Sequence, residues 1–159
     1  MSSGEAIRID VDLMNTGDLD EILAIERESF QTPWTKRMFI DELRIRHAQC
    51  LVVRAETDGE KRVAGYIIFW MVADEAHLHN LAVSKEFRRQ GLAFSLMGLM
   101  KDIAAGVSIE KQTLEVRESN SAAIELYRKC GFVVKGRRPK YYTDSQEAAL
   151  IMWAGKWQD

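Results

Sequence analysis

Two cysteines, Cys50 and Cys130, are all the thiols in 159 residues, and no C-x-x-C surrounds either. A disulfide framework is therefore excluded, and two reduced, mostly buried thiols are expected. Long apolar runs are missing too. The longest, Val63 to Ala73, falls far short of the roughly 20 residues a membrane-crossing helix needs. Met1-Ser2-Ser3-Gly4-Glu5 lacks a basic segment followed by an apolar core, so no secretion signal is read there. A cytoplasmic location with no membrane partner is the expectation. A formal net charge of −2 gives no bulk positive field, so nucleic acid is not expected as a direct partner, although a local basic patch remains open. Two familiar phosphate loops are also absent: no G-x-x-x-x-G-K-[ST] occurs, and no G-x-G-x-x-G follows the first strand. Nucleoside triphosphate and dinucleotide chemistry are disfavoured accordingly.

What is present is an ordinary globular composition, 47% apolar and 29% charged, without repeats, low-complexity tracts or linkers. The length suits one domain over residues 1–159 with a real hydrophobic core. Ile7, Ile9, Val11 and Leu13 alternate with polar residues as a strand does. Thr16 or Asp18 can then cap a helix with Leu19, Ile22 and Leu23 on one face. Pro33 ends that helix region, and Thr35 restarts a second one to about Arg46, with Phe39 and Leu43 inward. Strands follow at 50–55 and 63–72, the second apolar on both faces and therefore central, and then at 76–83. A helix from Leu92 carries Leu96, Met100 and Ile103 at helical spacing. A strand at 113–116, a helix at 121–130, and strands at 132–137 and 148–152 complete the order β-α-α-β-β-β-α-β-α-β-β. That order describes a mixed α/β sheet with helices on both faces.

The most informative junction is Val83 to Leu96, where a strand ends, two arginines precede a glycine, and a helix begins at once. The first amides of a helix have no intrahelical partner and carry the positive end of its dipole, which favours anions. Gly91 would let a ligand reach those amides, and Arg88 and Arg89 could add charge-assisted contacts. A helix start beside a solvated basic pair accounts for the same residues.

Arg88-x-x-Gly91-x-Ala93 resembles the [Q/R]-x-x-G-x-[G/A] pyrophosphate motif of the GNAT acetyltransferase superfamily, in the same strand-to-helix setting. His77-Leu78-His79-Asn80-Leu81-Ala82-Val83 before it and Leu114-Glu115-Val116-Arg117-Glu118-Ser119-Asn120 after it are similar to the RimI-like branch. The resemblance runs from Ile7 to Trp153. It implies a GNAT fold: an α/β architecture with a mixed, mostly antiparallel central sheet splayed between two strands and helices on both faces. It further implies an enzyme that moves the acetyl group of acetyl-CoA onto an amine. In that branch the amine is the N-terminal alanine of small-subunit ribosomal protein eighteen, so a protein N-terminus is the implied partner.

Residue by residue, the resemblance assigns Leu81, Ala82 and Val83 to main-chain contact with the pantetheine arm. Arg88 together with the loop Arg89, Gln90, Gly91, Leu92, Ala93 and Phe94 falls to the pyrophosphate. Ala93 replaces the commoner glycine. Asn120 matches a residue that reaches the cofactor arm, and it also stands where a helix N-cap belongs. Glu115 matches the general base. Read alone, it is equally a strand carboxylate paired with an arginine. Tyr127 matches the general acid, while its place with Ala123, Leu126 and Cys130 also reads as a core aromatic whose hydroxyl reaches a cleft. Trp34 and the pair Tyr141-Tyr142 would shape the acceptor pocket, although Thr143 stands where many relatives have proline. The basic run Lys135 to Lys140 reads either as part of that pocket or as a solvated hairpin. His47, His77 and His79 make no metal set, so no metal is expected and the histidines are read as structural. Lysine side chains, small amines, or a catalytically silent CoA-binding module remain alternative readings.

Overall fold

The computed structural model describes residues 7–156, and the first element in it is β1 (Arg8–Leu13). The chain continues through α1 (Leu19–Ser29), α2 (Lys36–Arg44), β2 (Ala48–Thr57), β3 (Glu60–Val72), β4 (Glu75–Val83) and α3 (Leu92–Gly106). Then come β5 (Lys111–Arg117), α4 (Ser121–Lys129), β6 (Val133–Arg138) and β7 (Ala149–Gly155). The order of helices and strands is the one read from the sequence. Among the described residues the seven strands form one open sheet, in the order β1-β2-β3-β4-β5-β7-β6. β4 and β5 pair in parallel, while β1–β2, β5–β7 and β6–β7 are antiparallel.

By internal packing the chain divides into two compact units. One takes the chain up to Ile68 together with Asn80–Leu92, and the other takes Phe69–His79 and everything from Ala93 onward.

In the first unit, β1 pairs with β2 from Arg8↔Glu56 to Leu13↔Leu51. The start of α1 differs from the expectation. Neither Thr16 nor Asp18 caps it through its side chain. Asn15 accepts from the Gly17 amide at 2.8 Å, while Asp18 accepts from the Asn15 amide at 2.9 Å, a reciprocal box around a short 3₁₀ turn. Asp18 is unavailable as a cap for α1 because Arg54 from β2 holds its carboxylate at 2.5 and 3.1 Å. Thr35 caps α2 as expected, its hydroxyl accepting from the Met38 amide at 3.3 Å. That helix ends at Arg44 rather than Arg46, because Ile45 is already extended. Leu19, Ile22, Phe39, Val52, Tyr66 and Ile68 lie fully buried in one cluster, with Trp34 and Leu43 packed at its margin. Side chains of this size contribute roughly 1.5–3 kcal/mol each on full burial. β3 is buried continuously from Val63 to Phe69, as a central strand requires.

In the second unit, α3 buries Leu96, Met97, Met100 and Ala104, one stripe of a helix. Ala104 and Ile109 pack with Ala76 of β4. β5 and β7 pair from Lys111↔Gly155 to Arg117↔Ala149, and β6 joins β7 with a register shift between Val134 and Gly136. Gly155 is demanded by space. Its φ is +98°, and a Cβ there would stand 1.7 Å from the Glu110 carbonyl oxygen.

Candidate active site

The first unit supplies a curled loop between β4 and α3. Arg89 has φ +63° and Gly91 has φ +77°, so two left-handed residues bracket Gln90. For arginine that conformation costs roughly 1–2 kcal/mol. A Cβ built on Gly91 would meet nothing within 4 Å, so open space lies against the backbone that leads into α3. Glycine immediately before Leu92 offers no side-chain acceptor to the first amides of α3, and those amides carry the positive end of the helix dipole. Arg89, Gln90 and Gly91 are exposed. These features fit a diphosphate laid against main-chain donors.

Arg88 has a use in the fold that the sequence did not reveal. Its Nε donates to the Val83 carbonyl at 3.0 Å and its NH2 to the Ser29 hydroxyl at 3.2 Å, bracing the loop against the ends of β4 and α1. Of the β4 residues assigned to the cofactor arm, Ala82 and Val83 are buried and Leu81 is half-buried. Ala82 also belongs to the first unit's core cluster.

The same unit holds a buried carboxylate that sequence reasoning missed. Glu26 is 1% exposed. Its Oε1 accepts from the Trp34 amide at 3.0 Å. Its Oε2 accepts from the Tyr66 hydroxyl and from Asn80 Nδ2, the latter at 3.0 Å. Burial and the Glu26 charge push the Tyr66 hydroxyl far up, so it stays a donor. The Trp34 ring meanwhile leans on Phe39, with centroids 5.2 Å apart. The signal was present: Glu26 continues the Leu19, Ile22, Leu23 stripe at helical spacing, where a charge needs partners.

The second unit gathers the titratable groups. Glu115 lies two residues beyond the last β4–β5 pair, His77↔Thr113. His77 Nε2 stands 2.8 Å from Glu115 Oε2. That hydrogen bond, with the nearby charges of His77, Arg138 and His79, holds the Glu115 carboxyl below the ordinary value despite the opposing effect of burial. The imidazole is itself fixed. His77 leans on His79 at 4.5 Å, and His79 stacks on Trp70 at 4.2 Å. The strand register thus delivers His77 to a carboxylate partner that the sequence did not show.

Tyr127 is 9% exposed on α4, its ring tilted against Phe132 at 6.1 Å. Burial, with Cys130 and Tyr142 nearby, pushes its hydroxyl well above the usual tyrosine value, so it keeps its proton. Asn120 caps α4, its Oδ1 accepting from the Ala123 amide at 3.2 Å. The cap uses the oxygen and leaves the amide nitrogen to other partners. Ala93 is half-buried and Phe94 exposed in the first turn of α3.

The segment after β6 is clamped to the end of β5. Arg117 reaches both oxygens of Asp144, at 3.0 and 2.7 Å, and its guanidinium sits 4.0 Å over the Tyr142 ring. Glu147 accepts from the Ser119 amide at 2.6 Å. Tyr141 meets Tyr142 edge-on at 5.1 Å, and Arg138 lies 5.9 Å from the Tyr141 ring centre. Burial pushes Tyr142 up to about 12 against the pull of the Arg117 cation, so its hydroxyl remains a donor. Within the basic run, Arg137 is engaged by Glu118 at 3.0 Å on both nitrogens.

Neither thiol is activated. Burial and Glu42 push Cys50 up to about 11, and burial raises Cys130. Thiols held protonated in this way are poor nucleophiles. Among the described residues no helix is long and apolar enough to cross a membrane.

The acetyltransferase (GNAT) family model matches residues 19–132. The [ribosomal protein bS18]-alanine N-acetyltransferase of Escherichia coli K12 is 33% identical over 141 residues, covering 87% of this chain and 92% of that protein. A Bacillus subtilis protein whose assignment to the same activity is provisional is 40% identical, covering 88% of this chain and 91% of its own. The crystal structure of the ribosomal-protein-S18-alanine N-acetyltransferase from Escherichia coli superposes with a TM-score of 0.82 at 30% identity, over 96% of each chain. The curled loop before α3 and these likenesses converge: the chain belongs to the GNAT family and is an N-acetyltransferase.

Proposed function

We propose that this protein, acting as one catalytic domain, transfers the acetyl group of acetyl-CoA to a protein N-terminal α-amine. The favoured acceptor is the N-terminal alanine of ribosomal protein bS18. The observation that carries this reading is 33–40% identity, over nearly nine-tenths of the chain, to proteins named for that activity. The fit of the Gly91 loop to a diphosphate supports acetyl-CoA as the donor. Gln90 to Phe94 would present main-chain amides, Asn120 would reach the pantetheine arm, and Leu81 to Val83 would meet that arm through the backbone.

The chemistry asks little of the protein beyond positioning and proton handling. An α-ammonium has a reference pKa of about 8 and arrives mostly protonated. Glu115 removes a proton, directly or through water, so that nitrogen's lone pair can attack the thioester carbonyl. Tyr127, still protonated, gives its hydrogen to the departing sulfur. General acid–base help of this kind is worth roughly 10²–10⁴-fold per group. The raised thiols support direct transfer with no covalent acyl-enzyme. Tyr141 and Tyr142 would hold the acceptor's first backbone groups, as the family resemblance implies, and the same resemblance gives Trp34 a part in acceptor binding.

The test compares three acceptors: a peptide with the alanine-starting sequence of the ribosomal protein, the same peptide blocked at its N-terminus but carrying lysine, and spermidine. The free alanine peptide should be preferred. Preference for either of the others would transfer the protein to lysine or small-amine acetylation.

A further inference from the structure

Resting on that reading, a second group emerges in the proton path. We infer that Glu115 works as a pair with His77, whose imidazole takes up the proton that the acceptor ammonium gives off. His77 acts through Glu115 and is a positioning and proton-holding residue.

The geometry comes first. The β4–β5 register sets His77 opposite Thr113, one alternation before Glu115 on the same face of β5. The imidazole thereby meets the carboxylate at 2.8 Å. The side chains are 32% and 21% exposed, dry enough for a strong charge-assisted bond yet open enough to exchange protons with water. Ring contacts with His79, itself stacked on Trp70, hold the imidazole in plane. The charged and titratable groups around the pair are His79 on β4, Arg138 on β6 and Tyr142 in the segment after it.

The chemistry then gives the imidazole a purpose. A carboxylate with a depressed proton affinity is a poor destination for a proton from an ammonium. The reference values, about 8 and about 4.3, already differ by nearly four units, or close to 10⁴ in equilibrium. The imidazole hydrogen-bonded to that carboxylate offers the proton a nitrogen base instead. The balance is simple. One N–H bond of the ammonium breaks, one N–H bond forms on the imidazole, and the positive charge moves beside Glu115, which stabilises it. The imidazolium later returns that proton to water. The nitrogen sheds a second proton once the tetrahedral adduct has formed, and this replaces the one that Tyr127 passes to the departing sulfur, so both side chains end as they began. No oxidant or further reactant enters.

The experiment measures kcat across pH 6 to 9 with the alanine-starting peptide, for wild type, His77→Gln, His77→Asn and Glu115→Gln. Thermal melts and acetyl-CoA affinity serve as controls of folding. The amide of Gln or Asn can still hydrogen-bond Glu115 but cannot take a proton. At neutral pH, His77→Gln and His77→Asn should lose roughly 10–10²-fold in kcat, with acetyl-CoA affinity unchanged. The deficit should shrink as pH rises through about 8, because more of the amine then arrives already deprotonated. Damage to the fold or to acetyl-CoA binding gives a deficit that does not depend on the protonation of the amine. Such a constant deficit, or none, in a wild type that turns over the peptide would overturn this inference alone. A wild type inactive on all three acceptors would remove the proposed function and this inference with it.

Discussion

Two glutamates, one in each unit, are held in opposite ways. Glu26 is sealed at 1% exposure and receives only neutral donors: an amide, a phenol and a carboxamide. Those donors can stabilise its charge but cannot exchange a proton with it near neutral pH. Glu115 is partly exposed and receives an imidazole, the side chain whose ordinary pKa lies nearest neutrality. The first arrangement fixes a loop, and the second can handle protons. Damage to the first unit should therefore read out as lost binding or stability, and damage to the second as lost turnover.

The largest effect expected is in the first unit. Gly91→Glu places a negative side chain in the open space before α3, where the diphosphate is proposed to lie. Charge-assisted hydrogen bonds are worth roughly 1.5–3 kcal/mol each, so losing two predicts about a 10²–10⁴-fold fall in acetyl-CoA affinity. Gly91→Ala separates the causes, since it adds the left-handed strain without the charge. Calorimetry on the folded variants is the check. Unchanged affinity in the Glu variant would place the diphosphate elsewhere.

Breaking Glu26 should cost stability. Glu26→Leu leaves the buried Tyr66 hydroxyl and Asn80 carboxamide without their acceptor, each worth roughly 1–3 kcal/mol. Denaturant melts should show a loss of about 2–6 kcal/mol, and Glu26→Gln should lose less. If the Gln variant folds well, its KM for peptide should rise through the released Trp34 amide, with kcat largely kept. A destabilised variant with unchanged peptide KM would confine Glu26 to stability.

In the second unit the reverse split is expected. Glu115→Gln and Tyr127→Phe should each lower kcat by roughly 10–10³-fold at neutral pH, with little change in acetyl-CoA affinity. Near-normal turnover, with chemistry shown to be rate-limiting, would remove the residue from the mechanism. Glu115 also has a pH signature in stability. Its folded carboxyl is held below the unfolded value, so its contribution is complete above the unfolded pKa and fades as pH falls through the lower folded one. Glu115→Gln should flatten that acid limb of the stability curve.

How much of this was legible in sequence follows from what carries each feature. Local signals survived: the Thr35 cap, the Leu96–Met100 stripe, and a glycine between Arg89 and the helix. What depended on partners far along the chain did not. Asp18 looked like a cap until Arg54, 36 residues away, took its carboxylate. The His77–Glu115 contact was not visible because the ladder that brings the two together is a parallel pairing between strands separated by α3. Glu26 was visible as a charge on an apolar stripe, but its donors lie on three other segments. The catalytic assignments of Glu115 and Tyr127 came from family resemblance. Composition and periodicity left both open.

The smallest effect concerns the tyrosine pair of the second unit, proposed above to hold the acceptor. Tyr142 is half-buried beneath Arg117, and burial keeps its hydroxyl protonated at any working pH. Tyr141 stands edge-on to it and exposed. A peptide lying along this pair can offer its first carbonyls to the two hydroxyls, whereas spermidine has no carbonyl to offer. Replacing either tyrosine by Phe keeps the ring packing and the Arg117 contact but removes one hydrogen bond. Such a bond is worth about 0.5–1.5 kcal/mol net, so KM for the peptide should rise roughly 2–10-fold while kcat changes little. The same variants should leave KM for a small amine unaffected. The Arg117–Asp144 clamp sharpens the comparison, because Asp144→Asn should loosen the segment and raise peptide KM without touching either hydroxyl. A Phe variant that lowers kcat at constant KM would move Tyr142 from holding the acceptor to assisting the chemistry beside Glu115.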